Sequence, residues 1–251
     1  MNRRHRPKVI ANFAMTADGK VSTRELSPAN FTSPVDKRRF LEIRAQGDAV
    51  MVGRNTLATD TMSMTLPDED LRKDRQARGL SPEPLRVIVS QRGRLDVSWK
   101  VFQSEGGRRI VFATDQMPET KRAELAPFCD LHLFDSEFPP LHEVLSILKR
   151  QYGVKTLVCE GGPTLLRSLI EADALDVLYL TIAPLVFGGK DAPTLTGSNS
   201  EFLEKITHCR LASMQVIGNE CFLCYHIRRQ TSPQRSRSGS GSGTKFIRHL
   251  S

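Results

Sequence analysis

The residues most able to do chemistry in this chain cluster where apolar runs end. The clearest case is Val154-Lys-Thr-Leu-Val-Cys-Glu-Gly-Gly-Pro-Thr-Leu-Leu166. A β-branched apolar run closes on a carboxylate, Glu160, and two glycines and a proline then open an apolar, helix-like segment. Proline suits a first helical turn because it has no N–H to leave unpaired there. Glycines let a backbone approach a ligand, and the N–H groups at a helix start attract anions. Gly161, Gly162 and Thr164 are therefore candidates to hold a phosphate, with Glu160 facing the same crevice. The same order of residues is also what a strand–helix turn with no ligand would need. Three further segments follow the same logic. Met15-Thr-Ala-Asp-Gly-Lys20 ends a first strand, Val52-Gly-Arg-Asn-Thr56 with Asp60 ends a second, and Ile182-Ala-Pro-Leu-Val-Phe-Gly-Gly-Lys-Asp-Ala-Pro193 ends a late one. Each alone also reads as a plain turn.

These segments need elements to position them. Apolar runs at Val9–Met15, Ala49–Gly53, Leu85–Val89, Arg109–Ala113, Asp130–Phe134, from Val154 onward and at Val177–Ala183 read as strands. Ser33-Pro34 is a helix start, and the helix runs to about Gln46. Leu141, Val144, Leu145, Leu148 and Tyr152 follow helical spacing. A weaker helix is expected near Glu119–Leu125, and another after Pro163 with Leu165, Leu166, Leu169 and Ile170 inward. Residues 60–84 are polar and read as a long surface excursion, with a helix near Glu69–Arg78 inside it. Gly218-Asn219 joins two final strands as a two-residue hairpin, whose outward face, including Phe222 and Ile227, needs a cover. Alternating strands and helices with a terminal hairpin predict an α/β fold, a mostly parallel central sheet flanked by helices, with an antiparallel C-terminal hairpin. The expected organisation is one domain over residues 7–229. A disordered Ser/Gly/Arg tail follows over 230–251, in part resembling an expression linker.

Charge restricts the function classes. The net charge of +8 is concentrated at the ends: residues 1–8 carry +4 and residues 228–251 carry +6, which leaves the body at −2. A specific nucleic-acid binder carries its basic face on the fold itself, so no specific nucleic-acid partner is expected. No run is long and apolar enough to span a membrane, and no secretory signal is expected. Five cysteines, at 129, 159, 209, 221 and 224, show no disulfide framework, which fits a reducing cytoplasm. Cys221-Phe-Leu-Cys224 lacks a second ligand pair and lies in a strand pattern, so no metal is expected.

Taken as a set, "MTADGK", "TSPVDKRRFLEIRA", "MVGRNTLATD", "VCEGGPTLL" and "IAPLVFGGKDAPT" resemble the reductase domain of the bifunctional riboflavin-biosynthesis deaminase/reductase and its stand-alone archaeal and fungal relatives. The resemblance runs from about Pro7 to Arg228, and no H-x-E with a following P-C-x-x-C, the mark of the zinc deaminase half, occurs in these residues, so a reductase on its own is expected. It implies a dihydrofolate-reductase-like fold, NADPH as cofactor, and reduction of a ribosylaminopyrimidine 5′-phosphate to its ribitylamino form. By position it implies cofactor contacts at Ala14, Thr56, Asp60 and Ser90, and at the Gly161-Gly162-Pro163-Thr164-Leu165 helix start. Arg44 and Glu160 resemble substrate-binding positions, and Glu160 and Lys20 are the candidate catalytic groups. For Lys20 the roles are phosphate contact or proton supply, beside the plainer one of a solvated turn lysine. Similar reductases are homodimers, so a homodimer through the C-terminal sheet is implied. Two departures stand out. The bacterial bifunctional enzymes carry a Trp just before the first helix, where this chain has Asn30 or Phe31. They also carry "DDP-x-L-T" and then an Arg that holds the substrate's ribose-phosphate, where this chain reads Asp60-Thr-Met-Ser-Met-Thr-Leu-Pro67. The alternatives are a reductase of this fold acting on another pterin or pyrimidine, and a non-catalytic binding protein using its basic ends.

Overall fold

The structure is a computed structural model, and it describes residues 3–22, 31–60, 62–197 and 202–228. Asn30 and the tail over 230–251 lie outside the described residues. After a short 3-10 turn at Arg3–His5, the strands are β1 (Lys8–Thr16), β2 (Ala49–Gly53), β3 (Leu85–Val89), β4 (Arg109–Thr114), β5 (Asp130–Phe134), β6 (Thr156–Cys159), β7 (Val177–Ala183), β8 (His208–Ile217) and β9 (Glu220–Arg228). The helices are α1 (Pro34–Arg44), α2 (Arg54–Asp60), α3 (Glu69–Ala77), α4 (Lys100–Gln103), α5 (Glu119–Leu125), α6 (Leu141–Gln151) and α7 (Pro163–Glu171).

One sheet runs through them in the order β5-β4-β3-β2-β6-β1-β7-β9-β8. Every pairing from β5 to β7 is parallel, and β9 and β8 close the sheet antiparallel. This is the mostly parallel sheet with an antiparallel C-terminal hairpin that the sequence implies. Buried β-branched strands explain it, because a parallel sheet covered on both faces needs apolar side chains on both. Val9, Ala11, Met51, Val87 and Phe112 pack with Leu145 and Leu148 of α6 and with Leu166 and Leu169 of α7. The alternate residues Val50, Val52, Ile88 and Val111 pack with Leu57 of α2, Phe102 of α4 and Leu125 of α5. Ile10 and Val158 meet Ile43 of α1 on the same side.

Two expectations need correction. The stretch over 62–84 is no simple surface excursion: Met64, Leu66 and Leu71 are buried, the last two against Leu41 of α1 and Ala45 just after it. Met64 takes a left-handed backbone conformation (φ +60°), so the segment is no regular strand, and its side chain packs with Val50, Val52 and Leu57. Phe222 needs no outside cover, because it is buried with the Arg39 guanidinium of α1 5.1 Å from its ring centroid. The uncovered element is the edge strand β8, exposed along its length, with Leu211, Met214, Val216 and Ile217 in solvent. Cys221 and Cys224 have free thiols, as do the other cysteines. Among the described residues, no cluster of metal-ligating side chains occurs and no helix is long and apolar enough to cross a membrane.

Candidate active site

The sheet opens a notch at its centre. The chain leaves β1, crosses to β2, and returns later to insert β6 between them. β6 is short: it ends at Cys159, opposite Ala11 of β1 and Met51 of β2. β1 continues to Thr16 and β2 to Gly53, so their carboxyl ends stand on either side of a gap. In open α/β sheets ligands bind in such a gap, where strand order reverses. The Glu160–Gly162 turn forms its floor. The Glu160 amide donates to Met51 O (3.0 Å), and the Gly53 amide donates to Gly161 O (3.0 Å).

Local packing explains the two glycines. Thr56, in the first turns of α2, presses onto the turn. A β-carbon at Gly161 would lie 2.8 Å from Thr56 Cγ2, and one at Gly162 would lie 2.7 Å from Thr56 Oγ1. Gly161 also has φ +144°, which disfavours any side chain. The Gly161–Gly162 peptide is cis. Gly162 caps α7 without a side-chain hydrogen bond, and Pro163 takes the first helical position. First-turn amides have no partner inside a helix, and Thr164 and Leu165, which carry two of them, line the cavity.

That cavity is about 1320 Å³ in volume. Small-molecule pockets commonly run to about 1,000 Å³, so this one has room for a dinucleotide with a second ligand. It brings together Ala14, Thr56, Asp60, Ser90, Gly161, Gly162, Pro163, Thr164 and Leu165, all expected at a cofactor. Asp60 is exposed to the cavity, yet the protein around it desolvates its carboxyl and raises it above the usual carboxylate range. The two ends of the cavity differ. Toward α1 it is walled by Phe13, Phe31, Phe40 and Leu41. Toward β3 it is walled by Arg54, Arg92 and Arg94. Arg54 is fixed, with Nε donating to Arg94 O (2.9 Å) and its guanidinium 5.9 Å from the Trp99 ring centroid. Among the described residues none of these three arginines is in an ion pair. Two acids of the wall are engaged elsewhere. Asp36 accepts from Thr181 Oγ1 (2.6 Å), and Glu171 accepts from Arg167 Nε (2.8 Å).

The three remaining expected residues sit differently. Arg44 and Glu160 are joined to each other rather than set apart on a ligand. Arg44 Nε donates to Glu160 Oε1 (2.8 Å) and Nη2 to Oε2 (2.7 Å), while Nη1 donates to Thr65 O. The Glu160 side chain is 0% exposed and that of Arg44 is 6% exposed. In this state Glu160 offers the cavity its backbone, and its carboxylate is a support beneath the floor. Lys20 does not line the cavity, because its ammonium reaches outward to Ala192 O at 3.4 Å. The arginines at the β3 end were missed by sequence reasoning. Their signal was available: Gly53-Arg54 and Gln91-Arg92-Gly93-Arg94 both follow a strand's carboxyl end directly.

Comparison with known proteins then gives the family, because the RibD C-terminal domain matches residues 7–223. The chain belongs to the RibD C-terminal domain family. It is similar to the 2,5-diamino-6-ribosylamino-4(3H)-pyrimidinone 5′-phosphate reductase of Archaeoglobus fulgidus. The two are 34% identical over 213 residues, covering 85% of this chain and 94% of that one. The reductase of the same name from Methanothermobacter thermautotrophicus is 30% identical, covering 89% and 99%. Among solved structures, a pyrimidine reductase-like protein from Corynebacterium diphtheriae superposes with a TM-score of 0.78 at 20% identity, over 91% of this chain and 94% of that one. The likeness to that structure is one of fold. In this RibD C-terminal domain the notch between β1 and β2 and the turn at Gly161–Gly162 both fall inside the matched residues.

Proposed function

We propose that this protein is an NADPH-dependent reductase of riboflavin biosynthesis. It would convert 2,5-diamino-6-ribosylamino-4(3H)-pyrimidinone 5′-phosphate to the ribitylamino compound. The observation that carries this reading is the two-ended cavity across the carboxyl ends of β1, β2, β3 and β6. The named substrate of the archaeal relatives supports the choice of pyrimidine.

The cavity fits the cofactor on three counts. It is large enough for a dinucleotide and a pyrimidine together. The α7 start offers first-turn amides and the positive end of a helix to a pyrophosphate. Arg54, Arg92 and Arg94 suit the 2′-phosphate that distinguishes NADPH from NADH, since planar guanidinium groups match phosphate geometry. Ala14, Phe13 and the aromatic wall by α1 are left for the nicotinamide and the pyrimidine. NADPH supplies the hydride when bound, and the carbon reduced is C1 of the opened ribose, formally an imine carbon. The chain's own contribution is orientation, which by itself lowers a bimolecular barrier by several kcal/mol. Thr56, the Gly161–Gly162 turn and α7 fix the phosphates. The α1 end holds the pyrimidine against its aromatic wall. Neither Glu160, enclosed against Arg44, nor Lys20, turned outward, is set to deliver the proton; we assign that proton to water at the open mouth.

We also propose that two copies pair through β8. A long edge strand with four exposed apolar side chains needs a partner or a block. A reducing cytoplasm suits the five free thiols.

The test is direct. Purified protein is incubated with NADPH and the ribosylaminopyrimidine phosphate, and product mass is followed with NADPH consumption. Gain of two hydrogens in step with NADPH loss is expected. No turnover of this or any related pyrimidine, with no NADPH binding, would remove the reading.

A further inference from the structure

Two of the four segments singled out in the sequence, Met15–Lys20 and Ile182–Pro193, contribute little to the cofactor end, yet the structure joins them. Asp18, exposed at the turn after β1, accepts hydrogen bonds through both carboxylate oxygens. Oδ1 takes the Thr16 hydroxyl and the Phe187 amide (3.2 Å), and Oδ2 takes the Gly188 amide (2.7 Å). The backbone continues the join. The Ala17 amide donates to Leu185 O (2.8 Å), the Val21 amide to Pro193 O (2.9 Å), and Lys20 bridges to Thr194. Lys20 completes it through its ammonium and Ala192 O.

The joined loops form the outer wall of the aromatic end of the cavity. Val21 and Pro193, hydrogen-bonded to each other, both line it. Phe187, next to the amides that Asp18 holds, sets its ring edge-on to Phe31 with centroids 5.3 Å apart, and Phe31 lines the cavity too. The loop needs such a tether, because Leu185, Val186 and Phe187 are exposed apolar residues with little packing of their own, and Gly188 and Gly189 both have positive φ. The hydrogen bond from Thr16, with those from Gly188 and Phe187, holds the Asp18 carboxyl below its usual range, so the acceptor stays ionised at neutral pH.

We infer that Asp18 is a positioning residue for the pyrimidine substrate: it pins the Leu185–Pro193 loop so that Phe31, Val21 and Pro193 form the substrate-side wall. It touches no reacting atom itself. The inference rests on the reductase reading above, and it separates the two ends of one cavity. The substrate end depends on Asp18, and the cofactor end, built from α7, Thr56 and the arginines, does not.

The experiment compares the parent with Asp18→Asn and Phe187→Ala. NADPH affinity is read by fluorescence, KM and kcat by NADPH consumption, and exchange of the Phe187 and Gly188 amides by hydrogen–deuterium mass spectrometry. Asp18→Asn keeps the shape but turns one acceptor into a donor. Its KM for the pyrimidine should rise about tenfold, the scale of one charge-assisted hydrogen bond, with NADPH affinity within about twofold of the parent. Amide exchange at Phe187 and Gly188 should speed up, and Phe187→Ala should show the same split between KM and NADPH affinity. If exchange speeds up with KM unchanged, the loop is no substrate wall and the inference is overturned. Equal losses in NADPH affinity and KM would also overturn it, because Asp18 would then be a general structural residue. A parent that turns over no pyrimidine would instead sink the reductase reading, before any variant is compared.

Discussion

Replacing Arg44 with Met should show that the floor of the active site is an enclosed ion pair. The Glu160 carboxylate is 0% exposed and keeps both its guanidinium hydrogen bonds, at 2.8 and 2.7 Å, inside that enclosure. Arg44→Met leaves the carboxylate without either. Breaking a buried pair from one side typically costs about 3–5 kcal/mol, because the surviving charge stays desolvated. In a domain of this size each kcal/mol shifts the melting temperature by about 2–4 °C, so a fall of roughly 6–20 °C is expected. The double variant Arg44→Met/Glu160→Leu removes both charges and should recover a large part of the loss, since a well-packed apolar pair often matches a buried ionic one. The assay is urea unfolding followed by circular dichroism on the parent, both single variants and the double variant. A loss below about 1 kcal/mol for Arg44→Met would refute the reasoning, since that is the scale of an exposed pair. A double variant no more stable than Arg44→Met would refute it too.

Other expectations follow from single contacts. Gly162→Val places a side chain against Thr56 Oγ1, where even a β-carbon would lie at 2.7 Å. NADPH affinity should fall by about tenfold or more while the protein still folds, read by fluorescence titration and circular dichroism. Leu66→Ala should lower stability to urea by about 2–5 kcal/mol, because Leu66 is fully buried against α1 and α3, whereas a surface leucine would change it by about 0.5 kcal/mol. Burial lowers the His132 imidazole below its usual range, where its Nε2 meets the Tyr152 hydroxyl at 2.7 Å. The unfolded chain therefore takes up the proton first as pH falls, and stability should drop as pH falls through the ordinary histidine range. His132→Phe should flatten that part of the stability–pH profile, measured by urea unfolding at several pH values.

Much of this architecture was legible because strands buried on both faces must be apolar throughout, and each such run is punctuated by turn chemistry. β2, β4 and β7 show this most plainly. The helix α2 was less legible: Arg54–Asp60 is short and polar, with Leu57 its one buried residue, so no apolar face marks it. The burial of Met64 and Leu66 follows no regular period, since Met64 leaves the extended region at φ +60°, and the charge of residues 67–78 beside them reads as surface. At the site, position along the chain identified the residues that share the cavity, since all lie at or just after strand ends, Ala14 near the end of β1 and the others beyond β2, β3 and β6. Direction was not legible. Nothing in the sequence says that Glu160 turns down to Arg44, that Lys20 turns outward to Ala192, or that Asp18 ties two distant loops. Those outcomes depend on tertiary neighbours that lie between 116 and 172 residues away.

The central claim is that hydride passes within the notch between β1 and β2 to the sugar carbon of a pyrimidine. The most direct measurement is transfer of deuterium from NADPH labelled at C4 of the nicotinamide, with the product located by NMR. The account predicts a single deuterium at C1 of the ribityl chain, with the rate of that transfer at sub-saturating NADPH falling in Gly162→Val in proportion to its lost affinity. Product formed without label at C1, or unlabelled substrate recovered while NADPH is consumed, would contradict it.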